Sequence, residues 1–236
     1  MTQFESPKPA DNDDNMSISQ PPIFNMPALI KYTCLVLILV HIVRYILPED
    51  MINQLYGTFA FIPARYMNAQ TFNSDILASI VGPLGHTLVH GDWFHLLANM
   101  GMFIAFGTAL YRLAGPVFCV LSWISGALAG AYIMYAINDN PMTILIGASA
   151  SVSAILGGLL FLSWILARYG YMPSQPFASQ KRITSFLFLW VIVNLIFAFT
   201  PAEAIGAKIA WEAHLAGLFA GAVIAWIYLK ILKKTI

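Results

Sequence analysis

Residues 145–167 read LIGASASVSAILGGLLFLSWILA, a run without a single charged side chain. Roughly 20 apolar residues in helical conformation cross a bilayer core, so this stretch reads as a transmembrane helix. Its composition says more than its length. Small residues crowd its first half, the types that let membrane helices approach closely. Among them is Ser149, in the glycine-flanked sequence Gly147-Ala148-Ser149-Ala150. A polar group at membrane depth is costly and marks a candidate functional site by default.

Five further apolar stretches, at about 28–47, 94–113, 116–137, 183–199 and 211–232, bring the expected spans to six. Of all residues, 59% are hydrophobic and 10% charged. Soluble domains carry about 25% charged residues, so an all-α polytopic membrane protein is expected. The net charge of +1 leaves no basic patch for nucleic acid. Cys34 and Cys119 both fall in apolar stretches, where a thiol stays neutral and inert; neither a disulfide framework nor a metal spacing results.

Residues 1–25 are polar and rich in Asp, Ser and Pro, and read as a disordered cytoplasmic tail. They resemble neither a cleaved signal peptide nor a transit peptide, which leaves the first span as an uncleaved anchor. Residues 26–236 form the membrane domain. Between the first two spans, residues 48–93 mix aromatic and polar side chains with Pro63, Gly82, Pro83 and Gly85. That stretch is expected as a long, structured, partly interfacial loop. With the amino terminus inside, nine of the twelve Lys and Arg fall on the cytoplasmic side, and Arg44, Arg65 and Lys208 outside. Both termini are therefore expected in the cytoplasm, with the long loop outside.

The polar residues in the spans suggest a chemistry. A serine hydroxyl is a weak nucleophile until a base takes its proton, and histidine is the usual base. His214 supplies one, in Ala213-His214-Leu215-Ala216-Gly217. At about 100° per residue, His214, Gly217 and Gly221 share a helix face, and Ser149, Ser153 and Gly157 line a neighbouring arc. Two such faces pack closely enough for a Ser149–His214 hydrogen bond. No acidic residue lies in the interior of a span, and Glu212, at the start of the last one, points away from His214, so a dyad is expected rather than a triad. Acyl transfer also needs donors for the oxyanion. His95 and Asn99, one helical turn apart at the outer end of the second span, fit that task, with the Ser149 backbone N–H as a third donor. His86 and His90 share the same i, i+4 spacing but lack the carboxylate of an H-E-x-x-H metal site, and structural hydrogen bonds are expected of them instead. His41 is expected to be structural. No metal and no cofactor are expected.

The pattern His86-xxx-His90-xxxx-His95-xxx-Asn99, then Gly147-Ala148-Ser149, Ala154-xx-Gly157 and Ala213-His214-xx-Gly217-xxx-Gly221, resembles the rhomboid intramembrane serine proteases of the bacterial type. The likeness runs from about Phe24 to the carboxyl end. It implies a six-transmembrane-helix bundle in the cell (inner) membrane, with the serine helix starting in a water-filled cavity. It further implies Ser149 as nucleophile, His214 as base, His95 and Asn99 as oxyanion donors, and His90 as support for the first outer loop. Gly147 and Gly217 belong to the same motifs. The implied substrates are transmembrane proteins cut near the outer face. Three positions and one residue pair depart from the family pattern. Ala150 replaces a common glycine, Ser153 an aromatic that stacks on the histidine, and Tyr111 a glutamate; Ala64-Arg65-Tyr66 stands near where a Trp-Arg pair is usual. The alternatives are a catalytically weak or inactive rhomboid-like module that binds membrane proteins, and a transporter or channel. A transporter would show inverted repeats, which the sequence lacks.

Overall fold

In the computed structural model, residues 26–137, 140–169, 179–200 and 209–235 are described. The expected tail at 1–25 lies outside them. Helices α1 (Ala28–Val43), α2 (Glu49–Phe59), α3 (Ala69–Ser74) and α4 (Ile76–Gly85) come first. Then follow α5 (Trp93–Met102), a π turn (Phe103–Gly107), α6 (Thr108–Ile137), α7 (Ser149–Arg168), α8 (Gln180–Phe199) and α9 (Trp211–Thr235). No strand forms among the described residues; one isolated antiparallel bridge joins Phe61 to Leu145.

Four helical stretches are long and apolar enough to cross a membrane: Trp93–Ile137, Ser149–Arg168, Gln180–Phe199 and Trp211–Ile231. The first is a 45-residue stretch whose helical bonding runs through a break. At Gly115 the backbone turns left-handed, with φ 84°, and Pro116 follows without an N–H to continue the ladder. The expected boundary between the second and third spans lies at this break.

Two expectations change. The first apolar helix has 16 residues, about 24 Å of rise, and stops at Val43 rather than reaching residue 47. Its end tightens into i→i−3 bonds, from Tyr45 N–H to Ile42 O (2.9 Å) and from Ile46 N–H to Val43 O (3.1 Å). Arg44 there turns to the carbonyls of His90 and Gly91. The stretch 48–93, expected as a long loop, is instead largely helical. Asn68 and Thr71 form a capping box that starts α3, and the Asp75 carboxylate accepts from Ala78 N–H at 3.1 Å to start α4. The Tyr66 hydroxyl then donates to Ser79 O at 2.8 Å and ties α4 to the preceding turn, and Ser79 Oγ donates to Phe72 O at 3.1 Å and ties α4 to α3.

Helix α7 is the axis of the bundle. Every residue from Ala150 to Leu160 is buried, against α9, α6 and the π turn. Lipid is as apolar as leucine, so helices in a membrane associate by packing rather than by hydrophobic exclusion. The α7–α9 contact is built for that. A Cβ on Gly217 would strike the Ala150 backbone carbonyl, one on Gly221 the Ala154 carbonyl, and one on Gly157 the Leu218 carbonyl. Glycine at these three sites brings backbone to backbone. Ser151 adds a hydrogen bond from Oγ to Trp123 O (2.8 Å), tying α7 to α6. By contrast α8 is peripheral, with only Ile183 and Asn194 buried.

Overpacking a tight contact costs about 1–3 kcal/mol, and more where backbone atoms block the new side chain. Gly221→Val should therefore lower the thermal midpoint in detergent by several degrees. Gly57→Ala, in α2 with open space around its Cα, should leave it unchanged or raise it. Equal midpoints for Gly221→Val and wild type would refute the close crossing.

Candidate active site

The site begins with a backbone problem. Gly147 has φ 104°, a conformation L side chains rarely adopt, and a Cβ there would run into the His95 ring, with Asn99 Nδ2 also nearby. Hydrogen bonds from another part of the chain hold this turn. Gly147 N–H donates to His86 O at 2.8 Å, and Ala148 N–H to His90 Nε2 at 3.3 Å. The flanking bridge bonds Leu145 N–H to Phe61 O (2.9 Å) and Phe61 N–H to Leu145 O (3.1 Å). Helix α7 then starts at Ser149, with Ala148 as its cap residue.

His90 is itself anchored. Its carbonyl accepts from the Tyr56 hydroxyl at 2.5 Å and from Arg44 Nη1 at 3.4 Å, while Arg44 also donates to Gly91 O. The His86 ring bonds Ala127 O at 3.2 Å through Nε2. Burial pushes the His86 imidazole down to about 4 and that of His90 to about 3. A neutral His90 is what the contact requires, since Nε2 must offer a lone pair to Ala148 N–H. The His90 ring and the His86 carbonyl thus bond the two residues just before Ser149, while the His86 ring bonds α6.

On the other side, His214 reaches Ser149 from the first turn of α9. Its Nε2 lies 2.7 Å from Ser149 Oγ, and both residues are half-buried. The crossing at Gly217 and Ala150 lies within one turn of each. His95 and Asn99 sit on α5, whose start is capped by Asp92 Oδ1 accepting from His95 N–H at 2.8 Å. Asn99 is buried, and its Nδ2 donates to His95 O at 3.1 Å, which leaves its second N–H without a partner among the described residues. His41, expected to be structural, is buried and stands edge-on to Trp93 with ring centroids 4.6 Å apart.

One residue near the site was missed from sequence. Asn194, in α8, places Oδ1 2.8 Å from His214 Nδ1. The group behind His214 is a neutral amide rather than a carboxylate. Asn194 carries the same signal that singled out His95 and Asn99, a polar side chain inside an apolar span.

Residues 77–231 match the family model described as the Rhomboid domain. The chain belongs to the rhomboid family. It is also similar to the mouse (Mus musculus) protein named rhomboid-related protein 2, with 30% identity over 158 residues. That match covers 65% of this chain and 49% of the mouse protein, so it spans about half the length of this curated relative. Family and apolar helices together make this a multi-pass membrane protein with an intramembrane protease-like fold. All the site residues named above except Arg44, Tyr56, Phe61 and His41 fall inside the matched segment.

The two lowered histidines have a consequence for stability. Unfolded imidazoles titrate near 6.5, so below that pH the unfolded chain binds more protons than the folded one. The stability they contribute is complete above about 6.5 and drains as pH falls toward their folded values. The thermal midpoint in detergent should decline between pH 7 and pH 5, above the carboxylate range. His90→Gln, which keeps an acceptor and cannot titrate, should flatten part of that decline. An identical slope in His90→Gln and wild type would contradict the neutral His90 contact.

Proposed function

We propose that the protein is an intramembrane serine endopeptidase, acting through a Ser149–His214 dyad on transmembrane segments of other membrane proteins. The observation that carries this reading is the 2.7 Å hydrogen bond between His214 Nε2 and Ser149 Oγ, in a bundle of the rhomboid family. Ser149 Oγ attacks the scissile carbonyl carbon as its proton passes to Nε2. The carbonyl oxygen becomes an oxyanion, for which the Asn99 amide, the His95 ring and the Ser149 backbone N–H are the donors. Collapse releases the new amine, which takes the proton from Nε2 and leaves an acyl ester on Ser149. Water, activated by the same imidazole, hydrolyses that ester.

In the same reading the chain spans the membrane six times. Helices α1, α7, α8 and α9 cross once each, and the stretch 93–137 crosses twice, turning at Gly115. The lysine and arginine bias supports both termini in the cytoplasm and cleavage near the outer face of the cell (inner) membrane. The partners are the lipid bilayer and transmembrane protein substrates. Hydrolysis consumes water, so the opening of α7 at Ser149 must be wet. Irregular backbone such as Gly147-Ala148 is tolerated at membrane depth where it lines such a cavity.

Ser149→Ala and His214→Ala should each reduce kcat for a transmembrane substrate by about 10⁴-fold or more, with the double variant no worse, because the pair acts as a unit. Asn99→Ala should lower kcat by roughly 10²–10³ with little change in KM, as single oxyanion donors do. Cleavage that survives Ser149→Ala would refute the enzymatic reading and favour a binding module. Full activity per folded molecule in Asn99→Ala would remove that residue from the oxyanion hole.

A further inference from the structure

Asn194 lies on the most lipid-exposed of the long helices, yet it is only 2% exposed. An amide buried at membrane depth is costly unless its polar atoms are bonded. Both ends are. Nδ2 donates to the Trp190 carbonyl one turn earlier at 2.8 Å, and Oδ1 faces His214 Nδ1 at 2.8 Å. Together these contacts decide a tautomer. A backbone carbonyl only accepts, so the amide must turn its N–H to Trp190 and its oxygen to His214. The amide oxygen also only accepts, so the hydrogen of the neutral imidazole is on Nδ1. Nε2 is then left with its lone pair, facing Ser149 Oγ at 2.7 Å.

We propose that Asn194 is a positioning residue that holds His214 as the Nδ1–H tautomer, with Nε2 directed at the Ser149 hydroxyl. The proposal rests on the protease reading above. In soluble serine proteases an aspartate does this work, orienting the imidazole and stabilising the imidazolium. A buried carboxylate would be expensive here, and a neutral amide avoids that charge. The usual weakness of an amide is that it can present its N–H and select the wrong tautomer; the Trp190 carbonyl prevents that. Nor does Ser153, one turn after Ser149, tether the ring. It offers no aromatic face, and its buried hydroxyl has no hydrogen-bond partner among the described residues. When the Ser149 proton moves to Nε2, Nδ1–H stays on Asn194 Oδ1, whose dipole opposes the new positive charge. The proton on Nε2 then leaves with the amine product.

The test uses the full chain in detergent micelles, cleaving a fluorogenic transmembrane peptide. Asn194→Leu should lower kcat about 10–100-fold, the worth of one buried hydrogen bond to a group that becomes charged, with KM within about twofold. Asn194→Asp, which keeps an oxygen at the same point, should recover most of that loss. Nitrogen NMR of imidazole-labelled wild type, assigned by difference from His214→Gln, should find Nδ1 protonated and Nε2 bare; this reading needs no Asn194 variant to fold. An Nε2–H tautomer in wild type overturns the proposal. So does full kcat in Asn194→Leu, or an Asn194→Asp as slow as Asn194→Leu with a wild-type thermal midpoint. In each of these cases Ser149→Ala would still be dead and the protease reading would stand. Cleavage retained by Ser149→Ala removes that reading, and the proposal with it.

Discussion

The close crossing of α7 and α9 is the constraint on which the rest depends. Gly217, Gly221 and Gly157 each face a backbone carbonyl of the other helix, so the two helices meet with no side chain between them. Only at that separation does a histidine near the start of α9 reach a serine that opens α7. A hydrogen bond of 2.7 Å tolerates little drift. A methyl group wedged at Gly217 would push His214 away by more than the bond allows, without touching either polar residue. Because lipid supplies no hydrophobic drive between helices, this packing must come from van der Waals contact over small residues. In the proposed dyad the glycine spacing therefore matters as much as Ser149 does.

A second layer of order comes from the polar scaffold before α7. Arg44 and Tyr56 hold the His90–Gly91 carbonyls, His90 holds Ala148 N–H, and the His86 carbonyl holds Gly147 N–H. These bonds link the end of α1 and the helix α2 to the left-handed turn at Gly147. Unbonded backbone at membrane depth would be costly, so this chain satisfies the irregular start of α7 while leaving the Ser149 hydroxyl to His214. In the proposed protease, a turn held in this way is the preorganisation that oxyanion stabilisation needs.

Much of this was legible in the sequence, for identifiable reasons. Long apolar runs mark helices whatever their partners, and polar residues within them are rare enough to stand out, as Ser149, His214, His95 and Asn99 did. The glycine period in α9 matched the face that packs on α7. What escaped depended on contacts between distant residues. The first helix ends at Val43 where Arg44 turns toward residues 90 and 91, a contact with no local trace. The helices in 48–93 start from caps at Asn68 and Asp75, whose signal is weak within a mixed aromatic and polar stretch. Asn194 escaped for another reason: carboxylates are the usual partners of a catalytic imidazole, whereas in hydrocarbon a neutral amide is the less costly acceptor.

The central claim is that packing of α7 on α9 makes the Ser149 hydroxyl nucleophilic. The most direct measurement is covalent labelling by a fluorophosphonate, read by intact mass and peptide mapping. The account predicts one adduct per chain, on Ser149, abolished in His214→Ala and much slowed in Gly217→Leu protein that remains folded. A folded wild-type protein that takes no label at Ser149, or one that labels equally fast without His214, would contradict it.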